Sequence, residues 1–250
     1  MHPHIGLYTL GALNITAGPH VGAAALALAG AKRFALLAFL ALVPHGVIRR
    51  DLLVSLFWPE HDVAHARSAL RSLLHQLRNC LGDDVFVTAG DHGVGINRAR
   101  LWCDAVAFGA LCDAGRANEA LALYRGPFLP GFHLAECAGF SDWADEHRAR
   151  LHAAALEAAD RLITKRRTAG DCAGALRWAR RRLQLAPYQE SALRTLVSLL
   201  LETGDRAEAV QVATRFTRRL AVDLRLAPTR ETRRLVAQLG EEAAVTPSDA

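Results

Sequence analysis

Gly170-Asp171 and Gly204-Asp205 stand 34 positions apart, and no other feature constrains the fold of this chain as tightly. A period of 34 is that of a helix–turn–helix repeat whose units bury their apolar faces only by stacking. Each Gly is followed by alanine after five residues, at Ala175 and Ala209, and again after nine, at Ala179 and Ala213. Small residues at these offsets let paired helices approach closely. Gly115 is followed by Ala120 at the first of the two offsets, and Pro187 stands where one repeat ends. From Asp104 onward the pattern is helical throughout. The spacing therefore predicts an all-α, tetratricopeptide-like domain over residues 104–240, with about three helix pairs. Residues 241–250 are polar and are expected to form a disordered tail.

The residues before 104 follow a different rhythm. Ile5 to Ile15 is apolar and punctuated by Gly6 and Gly11, which suits short strands and turns, and Ala24 to Ala29 is a second candidate strand. Lys32 to Leu42 is apolar nearly all round, as in a buried helix, and Pro44-His45-Gly46 ends it. Ile48 to Trp58 predicts a second helix burying Leu52, Leu53, Leu56 and Phe57, closed by Pro59. A third helix follows from Asp62 to Gly82. Beyond it the period becomes extended, with strands at Val85–Thr88 and Val94–Asn97 joined by a turn at Gly90–Gly93. Strands, three helices and a hairpin are the order of a winged helix with an added N-terminal sheet, placed here at residues 1–103. In such a fold the second helix braces, the third enters the major groove, and the hairpin reaches the neighbouring backbone.

The third helix carries the chemistry. On a 3.6-residue wheel Leu70, Leu73, Leu74, Leu77 and Leu81 share one arc with Ala66, Ala69 and Cys80. Arg67, Arg71, His75 and Arg78 share the other, flanked by Ser68, Ser72, Gln76 and Asn79. Asp62 suits the N-cap and Gly82 the helix stop. A solvated helix face ordinarily mixes carboxylates with its basic residues at i,i+4, and this arc has none. Unpaired guanidiniums beside amides and hydroxyls suit phosphates and base edges. The candidate DNA contacts are Arg67, Ser68, Arg71, His75 and Arg78 on this helix, with Lys32, Arg49 and Arg50 preceding helices. The alternative for Arg78, at the C-terminal end, is that it satisfies helix carbonyls. Arg180-Arg181-Arg182 and Arg218-Arg219 lie where carboxylates are nearly as frequent, and are expected to be solvated or paired.

The net charge of +5 and pI near 9.3 permit an anionic partner without requiring one. Five cysteines, odd in number and without a CxxC pair, read as small buried residues of a reducing compartment, so the expected location is cytoplasmic. The apolar run at Phe34–Val43 is too short to span a bilayer. No phosphate-cradling glycine loop, nucleophile elbow or paired-histidine helix motif is present, so no enzyme, cofactor or metal is expected. His61 and His65 at i,i+4 lack a third ligand. Trp102, Trp143 and Trp178 are expected to anchor cores.

Taken together, Lys32–Leu42, Leu56-Phe57-Trp58-Pro59 and Ala66–Arg71 with Leu77-Arg78 and Leu81-Gly82 resemble the antibiotic regulatory protein (SARP) family of transcriptional activators. Trp102-Cys103-Asp104 with Phe108, the stretch ALALYRGPFLPGF ending at Phe132, and Trp143–Leu151 extend the resemblance into the second domain. In that family a response-regulator-type winged helix precedes a bacterial transcriptional activator domain. The resemblance implies binding of double-stranded DNA at promoter repeats, a possible dimer on DNA, and recruitment of RNA polymerase. Two positions depart from the family pattern. Arg49 stands where a hydroxyl residue usually caps the second helix, and Gly93-Val94-Gly95 replaces a Gly-aromatic wing, which predicts a looser hairpin. The rival reading is a peptide-binding adaptor whose winged helix has lost DNA affinity.

Overall fold

The computed structural model describes residues 5–17, 30–44, 46–134 and 136–244. The chain divides into two compact units, residues 1–155 and 156–250. Along the first run β1 (Ile5–Tyr8), β2 (Asn14–Ala17), α1 (Ala31–Leu42), β3 (Val47–Arg49), α2 (Arg50–Phe57), α3 (Val63–Leu81), β4 (Phe86–Ala89), β5 (Gly93–Ile96) and β6 (Leu101–Cys103). Then come α4 (Asp104–Asp113), α5 (Ala117–Leu123) and the first part of α6 (Ala138–Thr168). The second unit holds the rest of α6, α7 (Cys172–Leu185), α8 (Glu190–Glu202), α9 (Arg206–Arg219) and α10 (Arg230–Ala244).

The first unit contains a winged helix with an N-terminal sheet, followed by α4, α5 and the start of α6. One sheet has the order β2-β1-β6, with β6 parallel to β1; the other has the order β3-β5-β4, all antiparallel. α1 buries every residue from Phe34 to Ala41, as an all-round apolar helix must. α2 starts at Arg50, and its N-cap Arg49 makes no side-chain cap bond. Leu53, Val54 and Phe57 form its buried face. Leu52, expected inside, is 55% exposed, because at 3.6 residues per turn it lies on the side opposite the arc of Leu53, Val54 and Phe57. Leu56 is half-buried, against the backbone of Gly139. The candidate strand at Ala24–Ala29 lies outside the described residues.

Gly95 makes the close pairing of β3 and β5 possible. A Cβ placed there would sit 1.5 Å from the carbonyl oxygen of Gly46, so the second glycine of the wing admits a neighbouring backbone rather than loosening the hairpin. All four residues of β5 are buried.

The ALALYRGPFLPGF stretch turns out to fasten the N-terminal hairpin. Gly11 N–H donates to the Pro127 carbonyl (2.9 Å), Leu129 N–H to the Thr9 carbonyl (2.8 Å), and Leu10 bridges Phe128. Arg148 of α6 donates to the carbonyls of Phe128 and Leu129. Trp143 lies 4.7 Å from Phe39 and 5.4 Å from Phe140, whose ring is 5.3 Å from Phe57. Trp143 therefore anchors a core, as expected, and that core is shared by α1, α2 and α6.

In the second unit the 34-residue spacing is realised atom by atom. Gly170 and Gly204 take positive φ (72° and 78°), the left-handed turn that glycine favours. Asp171 and Asp205 then cap α7 and α9 by accepting from the N–H three residues on, at Gly174 and Glu208. Ala175, Ala179, Ala209 and Ala213 are buried at the helix contacts. The helix pairs are α4 with α5, the end of α6 with α7, and α8 with α9, followed by α10. Residues 241–244, expected in a disordered tail, belong to α10. Arg180 pairs with Glu208, and buried Arg182 with Asp160 (3.0 Å), so both are paired rather than a free basic patch.

Candidate nucleic-acid interface

α3 is held by its leucines and leaves its polar arc outward. Ala66, Leu70, Leu73, Leu74, Leu77 and Leu81 are buried, whereas Arg67, Ser68, Arg71 and His75 are exposed. Asp62 caps the helix by accepting from Ala64 and His65 N–H, and the bond from His65 leads the contacts that hold its carboxyl below the usual range. At the other end Gly82 N–H donates to the Arg78 carbonyl at 2.7 Å. Gly82 has φ 98° and ψ 148°, positive in φ but extended in ψ rather than left-handed helical. Nineteen residues make a rod of about 28 Å, and such a rod fits a major groove about 12 Å wide.

The arc is less uniform than its sequence. Asp51, in the first turn of α2, reaches Arg67 at 3.1 Å and Arg49 at 3.6 Å. The arc contains no carboxylate of its own, but a neighbouring helix supplies one. Arg78 is half-buried, 3.7 Å from Asp83, and its guanidinium lies 5.8 Å from the centre of the Phe86 ring, which ties the helix end to β4. His75 shares a 3.1 Å contact with Asn79. Among the described residues Arg71 makes no ion pair, and it projects freely.

Arg67 and Arg71 also border a cleft of about 230 Å³ with Arg50, Asp51, Asp91 and His92. Arg50 N–H donates to the His92 carbonyl (2.8 Å), which fastens the start of α2 to the wing turn, while its buried side-chain Nε has no hydrogen-bond partner among the described residues. Three guanidiniums against two carboxylates leave this hollow basic, a setting for an anion. Asp91 and His92 are not among the residues expected from sequence because only the β3–β5 pairing brings the wing turn to α2, and Asp51 is not because it meets Arg67 only once the two helices pack. Lys32 stands apart from this cluster: its ammonium lies 5.2 Å from the centre of the Trp58 ring.

Among the described residues, no His, Cys, Asp or Glu group could hold a metal, and no helix is long and apolar enough to cross a membrane. Cys80, Cys103, Cys137 and Cys172 are free thiols, and burial pushes the Cys103 thiol up to about 11, which makes it a poor nucleophile.

The model of the bacterial transcriptional activator domain family matches residues 103–239. Among solved structures, Mycobacterium tuberculosis EmbR, in complex with a low-affinity phosphopeptide, aligns with 98% of this chain and 66% of its own at 21% identity and a TM-score of 0.55. At that identity the likeness is one of fold. No curated protein matches the chain in sequence.

Proposed function

Because the chain belongs to the bacterial transcriptional activator domain family, with a winged helix ahead of that domain in the SARP manner, we propose that it is a transcriptional activator that reads promoter DNA with α3. Residues 1–103 supply the DNA-binding domain and residues 104–240 contact RNA polymerase. Such an activator catalyses nothing: it adds binding free energy at the promoter. Its work is that of a DNA-bound cytoplasmic protein.

The observation that carries this reading is the exposed face of α3, where Arg67, Ser68, Arg71 and His75 stand together with no carboxylate on the same helix. Arg71 is the foremost base contact, since a guanidinium on guanine discriminates by about 1–3 kcal/mol. Arg67 reaches DNA by leaving Asp51, exchanging an exposed pair worth little for a phosphate or a base. Arg50 and Arg49, beside the wing turn, suit backbone phosphates. Footprinting on the DNA upstream of the protein's own gene tests the reading. Protected direct repeats about one or two helical turns apart are expected, and they would show whether two copies bind side by side. If Arg67→Ala combined with Arg71→Ala leaves DNA affinity unchanged, α3 is not the reader.

A further inference from the structure

In the second unit, α7, α8 and α9 border a cleft of about 250 Å³ that DNA reading does not use. Its floor is apolar, formed by Leu196, Val212 and Phe216, all buried as residues yet lining the opening. At the rim Arg180 is committed to Glu208 by two hydrogen bonds (3.0 and 2.5 Å). Arg215 and Arg219 are not: they stand one turn apart on α9, exposed, and among the described residues neither makes an ion pair. Among the described residues Glu208 is the single carboxylate lining the cleft, so the rim keeps an excess of positive charge. The carbonyls ending α9 favour basic residues nearby, which accounts for the charge but not for an open apolar floor beneath it.

We propose that this cleft docks a short acidic segment of a partner protein, with one Leu or Phe side chain on the floor and flanking Asp or Glu carboxylates on Arg215 and Arg219. The size favours a side chain over a whole small ligand, since small-molecule sites run from about 300 to 1,000 Å³. Charge complementarity selects an acidic segment, and guanidiniums hold carboxylates with paired, directional hydrogen bonds. The proposal goes beyond the DNA-reading function, and either can fail without the other, because the peptide is measured with no DNA present.

The test is fluorescence anisotropy of the full chain with a labelled peptide carrying a Phe-Leu pair among four aspartates. Saturable binding is expected, weakened about tenfold by each of Arg215→Gln and Arg219→Gln, which corresponds to one charge-assisted contact apiece. Replacing the Phe-Leu pair with Ala-Ala should abolish binding, and gel shifts with promoter DNA should not change in either variant. The proposal is overturned if the peptide does not bind, if the Ala-Ala peptide binds equally well, or if phenylacetate displaces the peptide at equal concentration. Hydrogen exchange on the unsubstituted chain tests it without relying on any variant's folding. Peptide-induced protection over residues 180–219 is expected, and protection confined elsewhere sinks the idea.

Discussion

Asp104 is the residue on which the N-terminal sheet depends. Its buried carboxylate accepts from Thr9 N–H (2.8 Å), Thr9 Oγ1 (2.7 Å), Leu10 N–H (2.9 Å) and Ala105 N–H (2.8 Å). Asp104→Ala leaves those donors buried without an acceptor, at a cost of about 3 kcal/mol or more. Urea denaturation checks this, and a loss under about 1 kcal/mol would mean that water replaces the carboxylate. His147 makes a second prediction. Burial beneath Trp143, 4.3 Å away between ring centres, holds its imidazole below the ordinary value, against the hydrogen bond to the Trp143 carbonyl. A folded-state value below that of the unfolded chain means the unfolded chain takes the proton first as pH falls. Stability from this group is therefore full above about pH 6.5 and declines as pH drops through and below it. The melting temperature should fall less between about pH 7.5 and 5.5 in His147→Gln than in the unsubstituted chain; an equal fall in both excludes this histidine as a source of acid sensitivity.

At the scale of elements, what the sequence made legible is what local rules determine. Gly170, Asp171 and the two alanines after them encode a turn, a cap and two close contacts within ten residues, and α7 and α9 form just where that code puts them. The division of α3 into a leucine arc and a polar arc was equally readable, because helical period alone sorts those side chains. Asp51 was not readable as the partner of Arg67, since sixteen positions and a change of helix separate them. Nor was the role of Gly95, because the Gly46 carbonyl that crowds it sits just ahead of β3, far earlier in the chain. That crowding gives the prediction at this scale. Gly95→Ala forces β3 and β5 apart and should cost about 1–3 kcal/mol or more, with slower amides in β4 and β5 becoming exchangeable. Gly90→Ala, in the same hairpin but with nothing within 4 Å of its Cβ, meets only the strain of its positive φ and should cost about 1 kcal/mol. Equal losses in the two variants would show that the close approach does not matter.

For the whole molecule, the boundary suggested by composition and the boundary of the core fall at different places. Sequence rhythm changes at 103, where strands give way to helices, and the family match begins there too. Yet the first compact unit runs to residue 155, because the winged helix does not close its own core. Phe39 and Phe57 of α1 and α2 lie against Trp143 and Phe140 of α6, the Cys137 thiol donates to the Phe57 carbonyl (3.2 Å), and Asp104 holds Thr9. A fragment of residues 1–103 would expose those rings and lose those bonds together. Burying a large aromatic side chain is worth about 1.5–3 kcal/mol, and a small domain has only about 5–15 kcal/mol in total. The 1–103 fragment should therefore lack a cooperative melt and bind promoter DNA weakly, whereas a fragment of residues 1–168, which ends with α6, should melt cooperatively. Calorimetry of the two fragments decides between these outcomes, and a cooperative transition in 1–103 would mean that the aromatic cluster of α6 covers the winged helix without supporting it.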